Sequence, residues 1–255
     1  MLTGRDISVI IPVHKPSVTT LNRCLDCVKT QAREIVVVAD HASVVPKLAL
    51  CSPNIHYVWT GDKISGFGRK INYGALQTRG KIIWVLNDDC FVAPDCAARL
   101  LDMMNEDDKI GIVGHELRYP DGTLQHGGTW RPPGAQAYVH LDTQKKVSRF
   151  SKPVEMENVT AASMMVRRSA FENVGGFCEQ YHLYLEDQHL CLAMRKNGWK
   201  IFYTPHAKGE HLERQSSKEL PDVKEHIRHS WKVFEKEWQW YFDKNRDNPR
   251  LGVFR

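Results

Sequence analysis

The chain has 255 residues, enough for one large α/β domain or two small ones, and its 42% hydrophobic and 25% charged residues are ordinary for a soluble globular protein. A net charge of +5, dispersed along the chain, mildly favours an anionic ligand or surface and is too weak to argue for a nucleic-acid partner. Seven cysteines without a framework spacing, and no apolar run of bilayer length, set aside a disulfide scaffold and a membrane span.

The first hundred residues alternate strand and helix as a parallel sheet requires. Ile7 to Ile11 is a continuous apolar run stopped by Pro12, the pattern of a strand buried on both faces. Leu21, Cys24, Leu25 and Val28 follow at helical spacing behind Thr19 and Thr20 as capping candidates. Ile35 to Val38 and Ile55 to Trp59 read as the next strands, Gly68 to Thr78 as a helix, and Lys81 to Leu86 as a fourth strand. Pro94 opens another helix, with Ala97, Leu100, Leu101 and Met104 on one face, and Ile110 to Gly114 closes the series. Cys24 and Cys27 form a CxxC, but no second ligand pair completes a zinc site, and core packing is the expectation.

Beyond this point the texture changes. Tyr119-Pro120-Asp121-Gly122-Thr123 is a turn between two short extended pieces, and Pro132-Pro133-Gly134 and the polar stretch from Thr143 to Pro153 read as a surface excursion. Val159 to Val166 returns to strand, Glu186 to Asn197 is a helix stopped by Gly198, and Trp199 to Tyr203 is a last strand before a break at Pro205. A mostly helical tail follows Pro221, which divides the chain into a domain over 1–218 and an extension over 219–255. The start, Met1 to Asp6, shows no basic segment followed by an apolar stretch, so a reduced, cytoplasmic protein is expected.

Three clusters lie just beyond a strand or at a helix start, where open α/β sheets bind ligands. Asn87-Asp88-Asp89 follows the fourth strand and suits either a divalent cation or a polar turn. Glu186-Asp187 opens a helix, where acids serve as caps or as a general base. His211, with His206 as a competitor, follows the last strand and reads as a ligand or a packed histidine.

Their order along the chain is more specific than any one of them. The sequence resembles the inverting family-2 glycosyltransferases of the GT-A fold, especially bacterial polysaccharide members such as rhamnosyltransferases, from about Ile7 to Ser217. Ser8 to His14 looks like the family's opening strand and nucleotide-contacting turn, and Val36 to Ser43 like its VDNAS-type turn. Gly66-Phe67-Gly68 through Asn72-Tyr73-Gly74 is similar to GFAxAxNxG, Leu86 to Asp89 to LNxD, and Asp121 to Gly128 to the DGxxQxxG hairpin. Val174 to Phe177, then Tyr184 to Asp187, resembles GGFDE…YxED.

The resemblance implies a mixed, mostly parallel Rossmann-like sheet flanked by helices. It implies a nucleotide-diphosphate-sugar donor, UDP- or dTDP-linked, held by Pro12, Val13, His14, Asp40, Gly66, Phe67, Arg69, Asn72, Asn87 and Asp88. It also implies Mn²⁺ or Mg²⁺ on Asp89 and His211, the catalytic base at Asp187 beside Glu186, and a glycan or lipid-linked acceptor. Departures are visible too. His189 stands at the second acid of EDxD, Cys178 at the first acid of GGFDE and Asn87 at the leading acid of DxD. Ile71 replaces a frequent arginine, and Arg69 and Lys70 offer phosphate charge from neighbouring positions. The aromatic stripe Ile227, Trp231, Phe234, Trp238 and Tyr241 either packs on a protein surface or lies on an anionic membrane at the inner face. A sugar nucleotidyltransferase is the weaker alternative, because Pro12 to Pro16 lacks a glycine-rich phosphate loop. A non-catalytic nucleotide- or carbohydrate-binding relative is the other.

Overall fold

The structure, a computed structural model, describes residues 1–40, 52–61, 64–132, 135, 138–212 and 222–245. His41-Ala42-Ser43, Pro133-Gly134 and the domain boundary from Lys218 to Pro221 lie outside the described residues. After a short 3-10 turn, β1 (Ile7–Val13), α1 (Val18–Val28), β2 (Glu34–Ala39) and β3 (Ile55–Trp59) are followed by α2 (Phe67–Leu76) and β4 (Ile82–Leu86). The strands pair in parallel in the order β3-β2-β1-β4. β1 runs through Pro12 instead of stopping there. Its pairing with β4 has ended at Ile10↔Val85, so the proline sits where only β2 lines the strand. The cap of α1 is Ser17, whose hydroxyl accepts from the Thr20 amide at 3.4 Å, in place of Thr19 or Thr20.

The C-terminal half is mixed. β5 (Cys90–Val92), α3 (Cys96–Glu106), β6 (Ile110–Arg118) and β7 (Leu124–His126) precede the small ribbon β8 (Thr129–Trp130) and β9 (Val139–His140). Then come β10 (Val154–Met156), β11 (Ser163–Arg167), α4 (Arg168–Asn173), α5 (Glu186–Lys196), β12 (Lys200–His211) and α6 (Val223–Lys244). β11 inserts antiparallel between β4 and β6, and β12 lies parallel to β6. The expected break at Pro205 is a bulge within β12, where pairing to β6 shifts register between Thr204 and Lys208. That bulge lets one strand run on to place His211 at the carboxyl edge of the sheet.

Alternation along the strands builds two cores. Val9, Ile11 and Val13 face α1 and α3, while Ile10 meets the face covered by α2, α4 and α5. Gly74 lets α2 lie against β1, since a Cβ there would come within 2.5 Å of Ile10 Cγ2. The excursion from Thr143 to Pro153 is held by Asp142, whose carboxylate accepts from the Arg149 guanidinium at 2.9 Å and the Lys145 ammonium at 3.1 Å. The tail packs on its own domain. Phe234, Trp238 and Phe242 of α6 are buried with Tyr138, Tyr181, Leu185 and Leu192, while Trp231 and Trp240 stay partly exposed. Among the described residues, no helix is long and apolar enough to cross a membrane.

Candidate active site

The carboxyl ends of β1, β2 and β4 open into a cleft of about 710 Å³, a size that accommodates a nucleotide-sized ligand. On the first side Asp40, one residue past β2, is buried between His14 and Lys70. His14 Nδ1 lies 2.9 Å from Asp40 Oδ1, and the Lys70 ammonium donates to Asp40 Oδ2 at 2.9 Å and to the Val13 carbonyl at 3.0 Å. Burial lowers the Lys70 pKa, and the Asp40 carboxylate works against that shift. Gly66, at φ 94°, starts α2 beside His182 and places Phe67 on the cleft wall. Val13 contributes its carbonyl to Lys70 and is itself core.

Asn87, Asp88 and Asp89 follow β4 on the cleft floor, and His211 reaches them from the end of β12. His211 Nε2 lies 3.0 Å from Asp89 Oδ1 and 3.2 Å from Asn87 Nδ2. Its other nitrogen, Nδ1, sits 2.6 Å from Gln125 Oε1, an amide oxygen that only accepts. Nδ1 therefore carries the hydrogen, and in neutral His211 the Nε2 lone pair faces the Asp89 carboxylate. A divalent cation at this place would meet both the Nε2 lone pair and the Asp89 carboxylate. Adjacent corners of an octahedral site with bonds of about 2.1 Å lie roughly 3 Å apart, which matches the Asp89–His211 spacing. Asp88 adds to the demand, since burial and the neighbouring Asp89 charge push its carboxyl up to about 7. The residues present thus fit a hard divalent ion with one nitrogen ligand.

Glu186 and Asp187 face the same cleft from the start of α5. Tyr184 and Leu185 precede them at φ 67° and 69°, a left-handed pair that turns the chain sharply into the helix. Leu185 is the cap residue and makes no side-chain cap, so neither acid is held in the capping position. Asp187 accepts from the Ala161 amide at 3.3 Å and the Gln188 amide at 2.8 Å. Glu186 has a buried Oε2 without a hydrogen-bond partner. Burial and then the Asp187 charge push Glu186 up to about 8, and burial also raises Asp187 against its two amide donors. Glu186, the member pushed up to about 8, is the one placed to keep a proton, while the Ala161 and Gln188 amides oppose the rise at Asp187.

Besides Val13, the sequence-selected Arg69 and Asn72 do not reach the cleft. Arg69 lies 3.7 Å from Glu179 and is 44% exposed. Asn72 instead ties α2 to the following glycine turn, donating to the Phe177 carbonyl at 2.8 Å and accepting from its amide at 2.9 Å. His206 is exposed and lies outside the cleft. Gln125 and Tyr138 were not assigned roles from sequence, yet both line it. The hairpin that carries Gln125 is set by Asp121, whose carboxylate accepts from the Thr123 amide at 2.8 Å. The Tyr138 hydroxyl donates to Glu157, which also accepts from Tyr241 of α6 at 2.7 Å, so the tail buttresses one cleft wall. Aromatic residues flanking a lone Glu157 gave no sequence signal, because their partners come from distant segments.

A parallel β3-β2-β1-β4 half, an antiparallel β11 insertion and an acid-lined crevice at the carboxyl edge define the GT-A class of fold. Two solved structures share it over 95% of this chain at 16% identity. They are GalNAc-T7 with UDP, GalNAc and Mn²⁺ (TM-score 0.71, 52% of that chain covered) and the mannosyltransferase PcManGT from Pyrobaculum calidifontis with GDP-Man and Mn²⁺ (0.60, 65% covered). The chain belongs to glycosyl transferase family 2, whose sequence model matches residues 8–175. A Mycobacterium tuberculosis relative named N-acetylglucosaminyl-diphospho-decaprenol L-rhamnosyltransferase is 30% identical over 211 residues, covering 71% of this chain and 67% of the relative. Across the curated relatives it matches, the chain spans from 17% to 67% of their length.

Proposed function

We propose that this chain transfers a sugar from a nucleotide-diphosphate donor to a hydroxyl of a glycan or lipid-linked acceptor, with inversion at the anomeric carbon. The observation that carries this reading is the placement, in one cleft, of Asp187, held by the Ala161 and Gln188 amides, with the Asp89–His211 cluster. Pro12, His14 and Asp40 line the nucleoside side, and Lys70 stands behind Asp40 as its counter-ion. Asp89 and His211 would hold Mn²⁺ or Mg²⁺, which when bound neutralises charge on the departing diphosphate. The single imidazole nitrogen in this donor set favours Mn²⁺.

Asp187 accepts the proton of the acceptor hydroxyl as that oxygen bonds to the anomeric carbon. The bond from that carbon to the diphosphate oxygen breaks, and its electron pair leaves with the nucleoside diphosphate. One displacement assisted by one base inverts the centre, and the protonated Glu186 keeps a second negative charge from competing for the proton. A lipid-linked acceptor draws support from the mycobacterial relative, named for transfer to a diphospho-decaprenol. The partly exposed Trp231 and Trp240 of α6 offer a surface for peripheral contact with an anionic membrane, which co-sedimentation with anionic liposomes tests.

The deciding experiment is calorimetric titration of UDP, dTDP and GDP into the protein with and without Mn²⁺. Binding of one nucleotide that requires the metal supports the reading and names the donor class. A folded protein that binds none of the three under either condition favours a non-catalytic relative.

A further inference from the structure

Three side chains that the proposed transfer does not use converge on the far side of α5. Cys178 ends the turn after Phe177, His189 lies on α5 just past Asp187, and Glu237 comes from α6. One ligand atom from each lies within 4.8 Å of the others. His189 Nε2 is 3.0 Å from Glu237 Oε2, and the Tyr181 hydroxyl donates to that same oxygen at 3.0 Å. The second ring nitrogen of His189 is buried and has no hydrogen-bond partner. The rings of Tyr181 and Trp238, 5.1 Å and 5.6 Å from the imidazole centre, wall the cluster.

We propose that Cys178, His189 and Glu237 form a second metal site, selective for Zn²⁺, that clips α6 to the helix presenting the Glu186–Asp187 pair. The donor chemistry carries the choice of ion. A thiolate with an imidazole and one carboxylate suits Zn²⁺, whereas the oxygen-rich Asp89 cluster suits Mn²⁺ or Mg²⁺. Around tetrahedral Zn²⁺ the ligand atoms sit about 3.5 Å apart, so the cluster closes with a side-chain adjustment of about 1 Å. Cys178 is half-buried on a turn and has room to make it. Tyr181 already orients the carboxylate, as outer-shell partners of metal ligands do. On binding, the S–H bond of Cys178 breaks, its proton goes to water and the sulfur lone pair bonds the ion. The half-exposed Cys178 and Glu237 leave an entry path and a fourth position for water. Both Cys178 and His189 are positions where the sequence departs from the family pattern, and these two departures meet in space.

The test is calorimetric titration of Zn²⁺ into chelator-treated full chain, with Co²⁺ as a spectroscopic stand-in. The expected result is Zn²⁺ binding that persists in Asp89→Asn, a rise in unfolding temperature, and a near-ultraviolet thiolate-to-cobalt charge-transfer band. Cys178→Ser and His189→Gln each weaken Zn²⁺ binding by more than about a hundredfold and abolish the band, while Asp89→Asn retains both. Each variant is read only with a wild-type circular dichroism spectrum, and Glu237→Gln serves if either misfolds. No Zn²⁺ binding by the wild-type chain overturns the proposal. So does a charge-transfer band that survives Cys178→Ser, which would place the ion on another cysteine. Because Asp89→Asn is the control, failure here leaves the transfer reading standing, and failure of that reading leaves this site standing.

Discussion

Two pairs of adjacent carboxyls face the same cleft and are built in opposite ways. Asp88 and Asp89 sit among nitrogen groups, with His211 3.0 Å from Asp89; burial and the Asp89 charge raise the Asp88 pKa, and the Lys70 charge opposes that rise. Glu186 and Asp187 are met by backbone amides, with those of Ala161 and Gln188 on Asp187. On the proposed reading the first pair, with His211, meets a cation supplied from outside. On the same reading the second shares a proton, with Glu186 the member raised to about 8. Adjacent acids in a sequence therefore carry no single meaning; the neighbours that the fold brings to them decide whether the pair takes up a metal or a proton.

The comparison is tested most severely at Asp187. Asp187→Asn keeps the shape and removes the basic oxygen, so kcat falls on the order of 10³-fold while donor affinity stays near wild type. Steady-state kinetics with calorimetric donor binding separates these, and unchanged kcat would remove Asp187 from the role. At the other pair, Asp89→Asn removes a ligand and leaves Asp88. The metal-dependent part of nucleotide binding falls by about a hundredfold, measured by titration with and without Mn²⁺. Metal-enhanced binding that persists in the variant would move the ion away from Asp89. Gln125→Ala sharpens the same side. It touches no ligand atom of Asp89, yet it frees the His211 ring, and Mn²⁺ affinity drops about ten- to a hundredfold.

The sequence showed much of this arrangement and concealed the rest for identifiable reasons. β1, β2 and β4 were readable because parallel strands buried on both faces are continuous apolar runs, and the acids beyond them fall at the edge where such sheets bind ligands. β12 was cut short at Pro205 because proline reads as a strand stop, whereas a bulge absorbs it. Arg69 and Asn72 look alike in a motif, but helical rotation sends one to Glu179 and the other to the Phe177 backbone, and α2 turns Lys70 to the cleft instead. Gln125 was visible as part of a hairpin pattern. Its bond to His211 spans 86 residues, and no local periodicity encodes such a contact. The aromatic stripe of α6 announced a buried face without naming what buries it; Tyr138, Tyr181 and Leu185 answer that only in three dimensions.

Glu186→Gln gives the smallest change in turnover and the clearest test of the proton-sharing pair. Glu186 keeps its proton up to about 8 in the folded chain, while an unfolded glutamate releases it near 4.5. Between those values the folded state binds more protons than the unfolded one, so stability falls as pH rises through that window. The raised Asp187 pKa acts with the same sign. Glutamine keeps the neutral shape and cannot titrate. The variant therefore matches wild type near pH 4, gains on it as pH rises and levels off above pH 8, which chemical denaturation across pH records. Its kcat at pH 7 stays within a few-fold of wild type, because there the wild-type Glu186 is already neutral. Turnover lost as in Asp187→Asn would make Glu186 the base and invert the assignment. A stability curve as steep as wild type would show that Glu186 is ionised in the folded chain, and that the second pair, like the first, requires a cation.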